Sequence, residues 1–214
     1  MPMNPRWKLL APVLVIFFPV VFWLLLTRGH NTFNKLPIVG PFEVQATGDT
    51  IYHTIPHFQF TNQLGKVVSD ADLKDKIYVA NFFFATCKTV CPKMNEQVKR
   101  LQDAFAGQKD FKILTFTVDP ENDSVAALLA YADLMKADPT QWWFLTGQKD
   151  SIYDLARNGF LVPAAIGAAG DFFHSQDLIL IDKEKRMRGL YDGTEPAAVD
   201  TMIDEIKVLM KEYQ

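Results

Sequence analysis

The chain has 214 residues, a formal net charge of −3, and 49% hydrophobic and 13% aromatic residues. That composition supports a sizeable buried core and excludes a disordered chain. The charge is small and no Lys/Arg-rich block lies outside one N-terminal flank, so no nucleic-acid footprint is visible; partners are expected among proteins, a membrane and small ions.

Leu9 to Leu26 form an unbroken uncharged run rich in Leu, Val, Ile and Phe. As a helix it would measure about 27 Å, enough to span a bilayer with slight thinning. Arg6 and Lys8 precede it and Arg28 follows, with no small-x-small cleavage pattern at its end. It is therefore read as an uncleaved anchor rather than a removed signal peptide. Pro12 and Pro19 inside it are tolerated by a membrane helix. The expected organisation is a cytoplasmic tail over 1–8, a transmembrane anchor over 9–26, a linker over 27–50 and one domain over 51–214. A short basic tail most simply stays in the cytoplasm, which puts the domain on the far side of the membrane.

Within the domain, Phe58 to Thr61, a turn over Asn62 to Gly65, and Lys66 to Ser69 read as a hairpin. Ile77 to Phe84 is nearly continuous in apolar residues, as expected for a central strand covered on both faces. Met94, Val98, Leu101 and Phe105 then recur at helical spacing, and Phe111 to Val118 returns to strand. Asp123 and Ser124 cap a helix with Leu128, Leu129, Ala132 and Met135 inward; Trp142 to Leu145 is a short strand and Ser151 to Asn158 a short helix. Leu178 to Asp182 and Met187 to Tyr191 form a last hairpin, followed by a helix capped by Thr194 with Val199, Met202, Ile203, Ile206 and Leu209 inward. Strands alternating with helices predict an α/β sandwich with a mixed central sheet.

Cys87 and Cys91 are the only cysteines, and they stand where the central strand gives way to a helix. A C-x3-C pair entering a helix puts both sulfurs one turn apart on one face, close enough for a disulfide or for joint ligation of a metal ion. The helix N-terminus favours the thiolate, which reacts and binds metal. As a structural staple the pair would close too short a loop to stabilise much. It is read as the working site, and a cysteine pair between strand and helix makes the thioredoxin-like fold the specific expectation.

Four histidines accompany it. His30 abuts the membrane run. His53 and His57 are separated by Pro56 and about 13 Å apart in an extended chain, and are read as surface or edge residues. His174 precedes the strand Leu178 to Asp182, in the loop that in thioredoxin-like folds abuts the cysteine loop and usually carries a cis-proline. Two cysteines and one histidine make a soft, low-coordinate site suited to copper, with zinc as the competitor.

These residues resemble the Sco/SenC family of membrane-anchored copper chaperones for cytochrome c oxidase assembly. The resemblance runs from Ile55-Pro56-His57-Phe58 through Phe82 to Pro92 with the C-x3-C-Pro motif, then Val118 to Ser124, then His174-Ser175 before the strand. It implies copper ligation by Cys87, Cys91 and His174, a redox-active pair in Cys87 and Cys91, and a copper-bearing oxidase subunit and a thiol reductant as partners. It also implies a bacterial inner membrane location with the domain in the periplasm or on the outer face. Asp119 matches an acidic family position and reads either as a supporting group near the site or as an ordinary turn residue. Lys88 stands where the family often has proline, and an adjacent cation is expected to favour thiolate. The chain is read as a carrier and not as an enzyme in the turnover sense. The alternative is a thiol-disulfide oxidoreductase that reduces an oxidase subunit's copper-ligand cysteines. A copper-responsive sensor is a third class, whereas a peroxidase is disfavoured because Ala80 and Phe84 stand where a peroxiredoxin has Pro and Thr.

Overall fold

The structure, a computed structural model, describes residues 17–23, 35–162 and 175–214. It separates into two compact units, Met1–Asn34 and Lys35–Gln214. In the first, residues 17–23 are helical. The expected span from Leu9 to Leu26 falls mostly outside the described residues, and no helix among them is long and apolar enough to cross a membrane.

In the second unit, β1 (Phe42–Val44) and β2 (Thr50–Tyr52) form a two-stranded antiparallel sheet. The main sheet uses β3 (Gln59–Asn62), β4 (Val67–Ser69), β5 (Ile77–Phe83), β6 (Phe111–Thr117), β7 (Trp142–Thr146), β8 (Asp177–Ile181) and β9 (Met187–Asp192). Its order is β4-β3-β7-β6-β5-β8-β9. Strands β5, β6 and β7 are parallel, and β3 on β7 and β8 on β5 are antiparallel. This is the mixed sheet expected, with β5 at its heart and every β5 residue buried.

The period of two along β5 and β6 sorts their side chains onto two cores. Ile77, Val79, Phe83, Phe111 and Ile113 face a layer made by α1 (Val90–Ala104), α2 (Val125–Leu134) and α4 (Pro196–Glu212). Tyr78, Ala80, Phe82, Leu114 and Phe116 face the other side, where α3 (Lys149–Asp154) adds Ile152. The helical stripe of α1 is as the spacing predicts: Met94, Val98 and Leu101 are fully buried.

Four local expectations change. Leu129, expected inward, is 38% exposed, because α2 turns Leu128 and Ala132, with Tyr131 beside them, to the core. The last helix starts at Pro196 with Glu195 as its N-cap; the Thr194 hydroxyl instead donates to Asp192 at 2.6 Å, since proline presets the first helical turn without a side-chain cap. The helix expected over Ser151 to Asn158 ends at Asp154 and continues as a π-turn over Leu155–Gly159. Finally, the part of the expected linker from Lys35 on has structure of its own. Val39 N–H donates to Met187 O at 2.8 Å, and the Arg188 guanidinium donates to the carbonyls of Leu36 and Pro37 at 2.6 and 3.1 Å. Leu36 N–H donates to Glu212 at 2.8 Å. Composition cannot reveal this, because the segment is held through its backbone by charged groups far along the chain.

Candidate functional site

The end of β5 and the start of α1 enclose the cysteine loop. Cys87 N–H donates to Phe84 O at 3.1 Å, closing a turn that aims residue 87 back toward the helix. Cys91 is the second residue of α1, and its N–H donates to Cys87 Sγ at 3.4 Å. The two sulfurs thus share the first helical turn, as the spacing predicts. Both are free thiols and both are nearly buried, at 8% and 5% exposure.

The pair is electrostatically unequal. Burial pushes the Cys87 thiol up, but hydrogen bonds from the Cys91 thiol and from the N–H groups of Cys91, Thr89 and Val90 outweigh it and hold Cys87 below the ordinary value. Burial, and the Cys91 proton given to Cys87, push Cys91 up to about 12. The helix N-terminus therefore does what the sequence predicts for one sulfur. The groups that lower the Cys87 thiol most are the partner thiol and the helix backbone, ahead of the exposed Lys88.

Asp119 is buried in the loop between β6 and α2, where its carboxylate accepts from Asn122 Nδ2 at 3.1 and 2.8 Å. The acid that reaches the cysteine loop is Asp123. Its Oδ2 accepts from Ala85 N–H at 3.0 Å and from the Thr117 hydroxyl. Burial raises its carboxyl above the ordinary value; these two donors partly offset that, and the charge of Asp119 adds to it. Of the two residues expected to cap α2, Ser124 does so by accepting from Ala127 N–H at 3.3 Å, and Asp123 turns to the cysteine loop instead. Two acidic residues four apart after a strand were the available signal, and only the tertiary contact separates their tasks.

Under the cysteines lies a second group the sequence reading missed. Asn95, one turn beyond Cys91, is fully buried and donates through Nδ2 to the Tyr131 hydroxyl on α2 at 2.8 Å. Deeper still, Trp142 donates to Thr115 at 2.8 Å, Thr115 to Asn81 at 2.7 Å, and Asn81 approaches Met94 Sδ at 3.8 Å. An Asn in the middle of a central apolar strand was a visible signal for this chain of contacts.

His174 lies outside the described residues, as does His30. The chain is described again from Ser175, where Ser175 Oγ donates to Asp177 at 2.9 Å. Antiparallel pairing of Ala80 with Ile179 brings the start of β8 beside the end of β5, the end that carries the cysteines. Gly193 N–H donates to Gln176 O at 2.8 Å, and a Cβ on Gly193 would meet both Gln176 O and Met94 Cγ at 2.9 Å. Glycine is required at 193, where any side chain would press on the Gln176 carbonyl, Leu178 and Met94. The other two histidines are elsewhere: His53 Nε2 lies 2.7 Å from Gly159 O and His57 Nδ1 2.5 Å from Asp70. Among the described residues, no three His, Cys, Asp or Glu side chains group as a metal site.

A thiol pair at the mouth between a central parallel strand and its following helix, on a sheet of this order, defines a thioredoxin-like dithiol domain. The model of the SCO1/SenC family matches residues 46–211, and the chain belongs to that family. It is similar to a solved SCO1/SenC family lipoprotein of Bacillus anthracis, with 31% identity and a TM-score of 0.68, over 75% of this chain and 96% of that one. A second solved structure, BsSco, is described as a member of the Sco family of cytochrome c oxidase assembly proteins with a disulfide switch. It shares 30% identity and a TM-score of 0.65 over 74% of this chain and 94% of its own. More distant in sequence, ScoI of Bradyrhizobium japonicum, solved with copper bound, has the same fold at 23% identity and a TM-score of 0.58, over 73% of this chain and 99% of that one.

Proposed function

We propose that this protein is a membrane-tethered copper carrier that holds the metal through Cys87, Cys91 and His174 and delivers it to a copper-bearing subunit of cytochrome c oxidase. Residues 9–26 anchor it in a bacterial inner membrane, with residues 1–8 in the cytoplasm and the domain on the outer side. The observation that carries the reading is the cysteine pair itself: two free thiols in one helical turn, one of them held toward thiolate by the other and by the helix N–H groups. Soft thiolate donors in pairs suit Cu(I), and a histidine completes a set that also accommodates Cu(II). The closeness of both Gln176 O and Met94 to Gly193 supports His174 as the third donor, since His174 stands two residues before Gln176. Copper is cargo in this reading, passed by ligand exchange. A disulfide would remove both thiolates at once, so a thiol reductant is needed before loading.

The inequality of the pair favours one second reading. A low thiol beside one at about 12 is the arrangement of an attacking and a resolving cysteine, which suits a thiol-disulfide oxidoreductase that keeps an oxidase subunit's ligand cysteines reduced. Titration of Cu(I) against a competing chelator separates the two. Reduced protein is expected to retain about one copper per chain and air-oxidised protein almost none. Cys87→Ser and Cys91→Ser lose tight binding, and His174→Ala loses Cu(II) while keeping the disulfide-forming pair. Equal copper retention by oxidised and reduced protein would overturn the carrier and leave the oxidoreductase.

A further inference from the structure

Strands β5, β6 and β7 run parallel, so the end of the sheet opposite the cysteine loop gathers the residues that open all three. The start of β5 and the loops that lead into β6 and β7 there line a cavity of about 450 Å³. Three lysines line it: Lys76 just before β5, Lys109 in the loop before β6, and Lys112 in β6 itself. None of the three forms an ion pair among the described residues. The nearest acids are engaged elsewhere. Asp110 lies 3.8 Å from Lys183, and Asp138 Oδ1 accepts from the N–H and the hydroxyl of Thr140 at 2.8 and 2.7 Å.

A lysine ordinarily keeps its ammonium out in water. Two of these are turned in. Lys76 Nζ donates to the Lys109 carbonyl at 3.1 Å; Lys112 Nζ donates to the Thr140 carbonyl and lies 4.9 Å from the centroid of the Trp143 ring. Holding long side chains in this way costs rotamer entropy and brings like charges together. Burial, and after it the charge of Lys76, hold the Lys112 ammonium below its ordinary value; Asp138 opposes this and Lys66 adds to it. One carbonyl takes one of an ammonium's three donors, so two remain on each. The fold thus keeps three cations at one cavity with a single carboxylate, already used, beside them. An anion with several oxygens is the partner that such a cavity lacks.

We propose that this cavity binds a phosphate group through the ammoniums of Lys76, Lys109 and Lys112. A carboxylate offers only two oxygens, whereas a phosphate offers three strong acceptors, one toward each lysine. Lysine binds such a group as a point charge and needs no fixed fork. Two sources share the chemistry, soluble phosphate and the phosphate of an anionic lipid headgroup. β5 is seven residues long, so about 20 Å of strand separates the cavity from the cysteine loop, roughly twice the Debye length at 0.1 M salt. Occupancy of the cavity is therefore independent of the thiols and of copper.

The test follows acylation of individual lysines by an amine reagent, mapped by peptide mass, in full-length protein in neutral-detergent micelles. Inorganic phosphate replaces chloride at fixed neutral pH and fixed ionic strength. For a site of millimolar Kd, about 10 mM phosphate is expected to slow acylation of Lys76, Lys109 and Lys112 roughly tenfold. Lys93, exposed on α1 beside Cys91, keeps its rate. The same mapping in phosphatidylglycerol vesicles against phosphatidylcholine vesicles reads the lipid source. Slowing by inorganic phosphate supports a site open to the free ion, and slowing only in phosphatidylglycerol supports a site for the headgroup. In whichever arm responds, Lys76→Gln is expected to cut the slowing at Lys109 and Lys112 to under about twofold, with the melting temperature and the copper titration unchanged. Unchanged rates in both arms would overturn the proposal. So would equal slowing at Lys93, which is general screening, or full slowing at Lys112 in Lys76→Gln.

Discussion

The face of the sheet under α1, α2 and α4 and the face beneath α3 are both buried, and they are built differently. On the α3 side, Phe58, Phe60, Phe82, Phe116 and Phe160 pack ring to ring, with centroids 5.4 to 5.8 Å apart and edge contacts near perpendicular. On the α1 side the apolar layer is threaded by polar contacts: Trp142 to Thr115 to Asn81, Asn95 to Tyr131, and the thiols themselves. Aromatic packing contributes area and geometry but offers sulfur nothing to bond with. The polar face places donors such as Asn95 one helical turn from Cys91. One sheet thus has a face of packed rings and a face that gathers polar groups around the two thiols.

The largest effect expected from breaking this division falls on the metal. Cys91→Ser should lower Cu(I) affinity by well over the roughly 100-fold that loss of a supporting group costs, while thermal unfolding changes little. A chelator competition and a melting curve on the same sample check both halves. On the other face the pattern reverses. Phe116→Ala removes a ring in contact with four others and should cost about 3–5 kcal/mol in denaturant unfolding, with copper stoichiometry intact below the transition.

A smaller effect sharpens the inequality of the two sulfurs. Iodoacetamide is expected to consume Cys87 first, with a rate midpoint below the ordinary thiol value of 9.0, whereas Cys91 stays inert until near pH 12. Peptide mapping of the labelled sites against pH reads both; equal midpoints would remove the asymmetry. The smallest effect concerns the α3 side, where Asp70 joins His57 and Lys185. Burial pushes the Asp70 carboxyl up, but the hydrogen bonds from Lys185 and His57 outweigh it and hold it below 3.8. A depressed carboxyl contributes stability that is fully present above its unfolded value and is lost as pH falls through the folded one. Asp70→Asn should therefore flatten the acid limb of stability below about pH 4 and cost roughly 1 kcal/mol near neutrality. Urea unfolding across that range checks it.

How far the site could be read beforehand depended on distance along the chain. Cys87 and Cys91 were legible because helical geometry fixes the relation of residues one turn apart. The strand from Ile77 was legible because burial on both faces leaves an unbroken apolar run. The cap at Asp123-Ser124 was legible only in part: Ser124 caps α2, whereas the two donors to Asp123, Ala85 and Thr117, come from different strands' ends and leave no periodic mark.

By itself, then, the sequence determined what short-range geometry controls: the alternation of strands and helices, the central strand, the apolar stripe of α1, and two sulfurs on one turn at a helix start. The tertiary structure decided what depends on groups brought together from afar. It tied Leu36 and Pro37 onto Arg188 and Glu212, brought Asp123 to Ala85 in the cysteine loop, and set Tyr131 against Asn95 across 36 residues. Hydrogen bonds between side chains follow no sequence period, so only the packed fold could choose those partners.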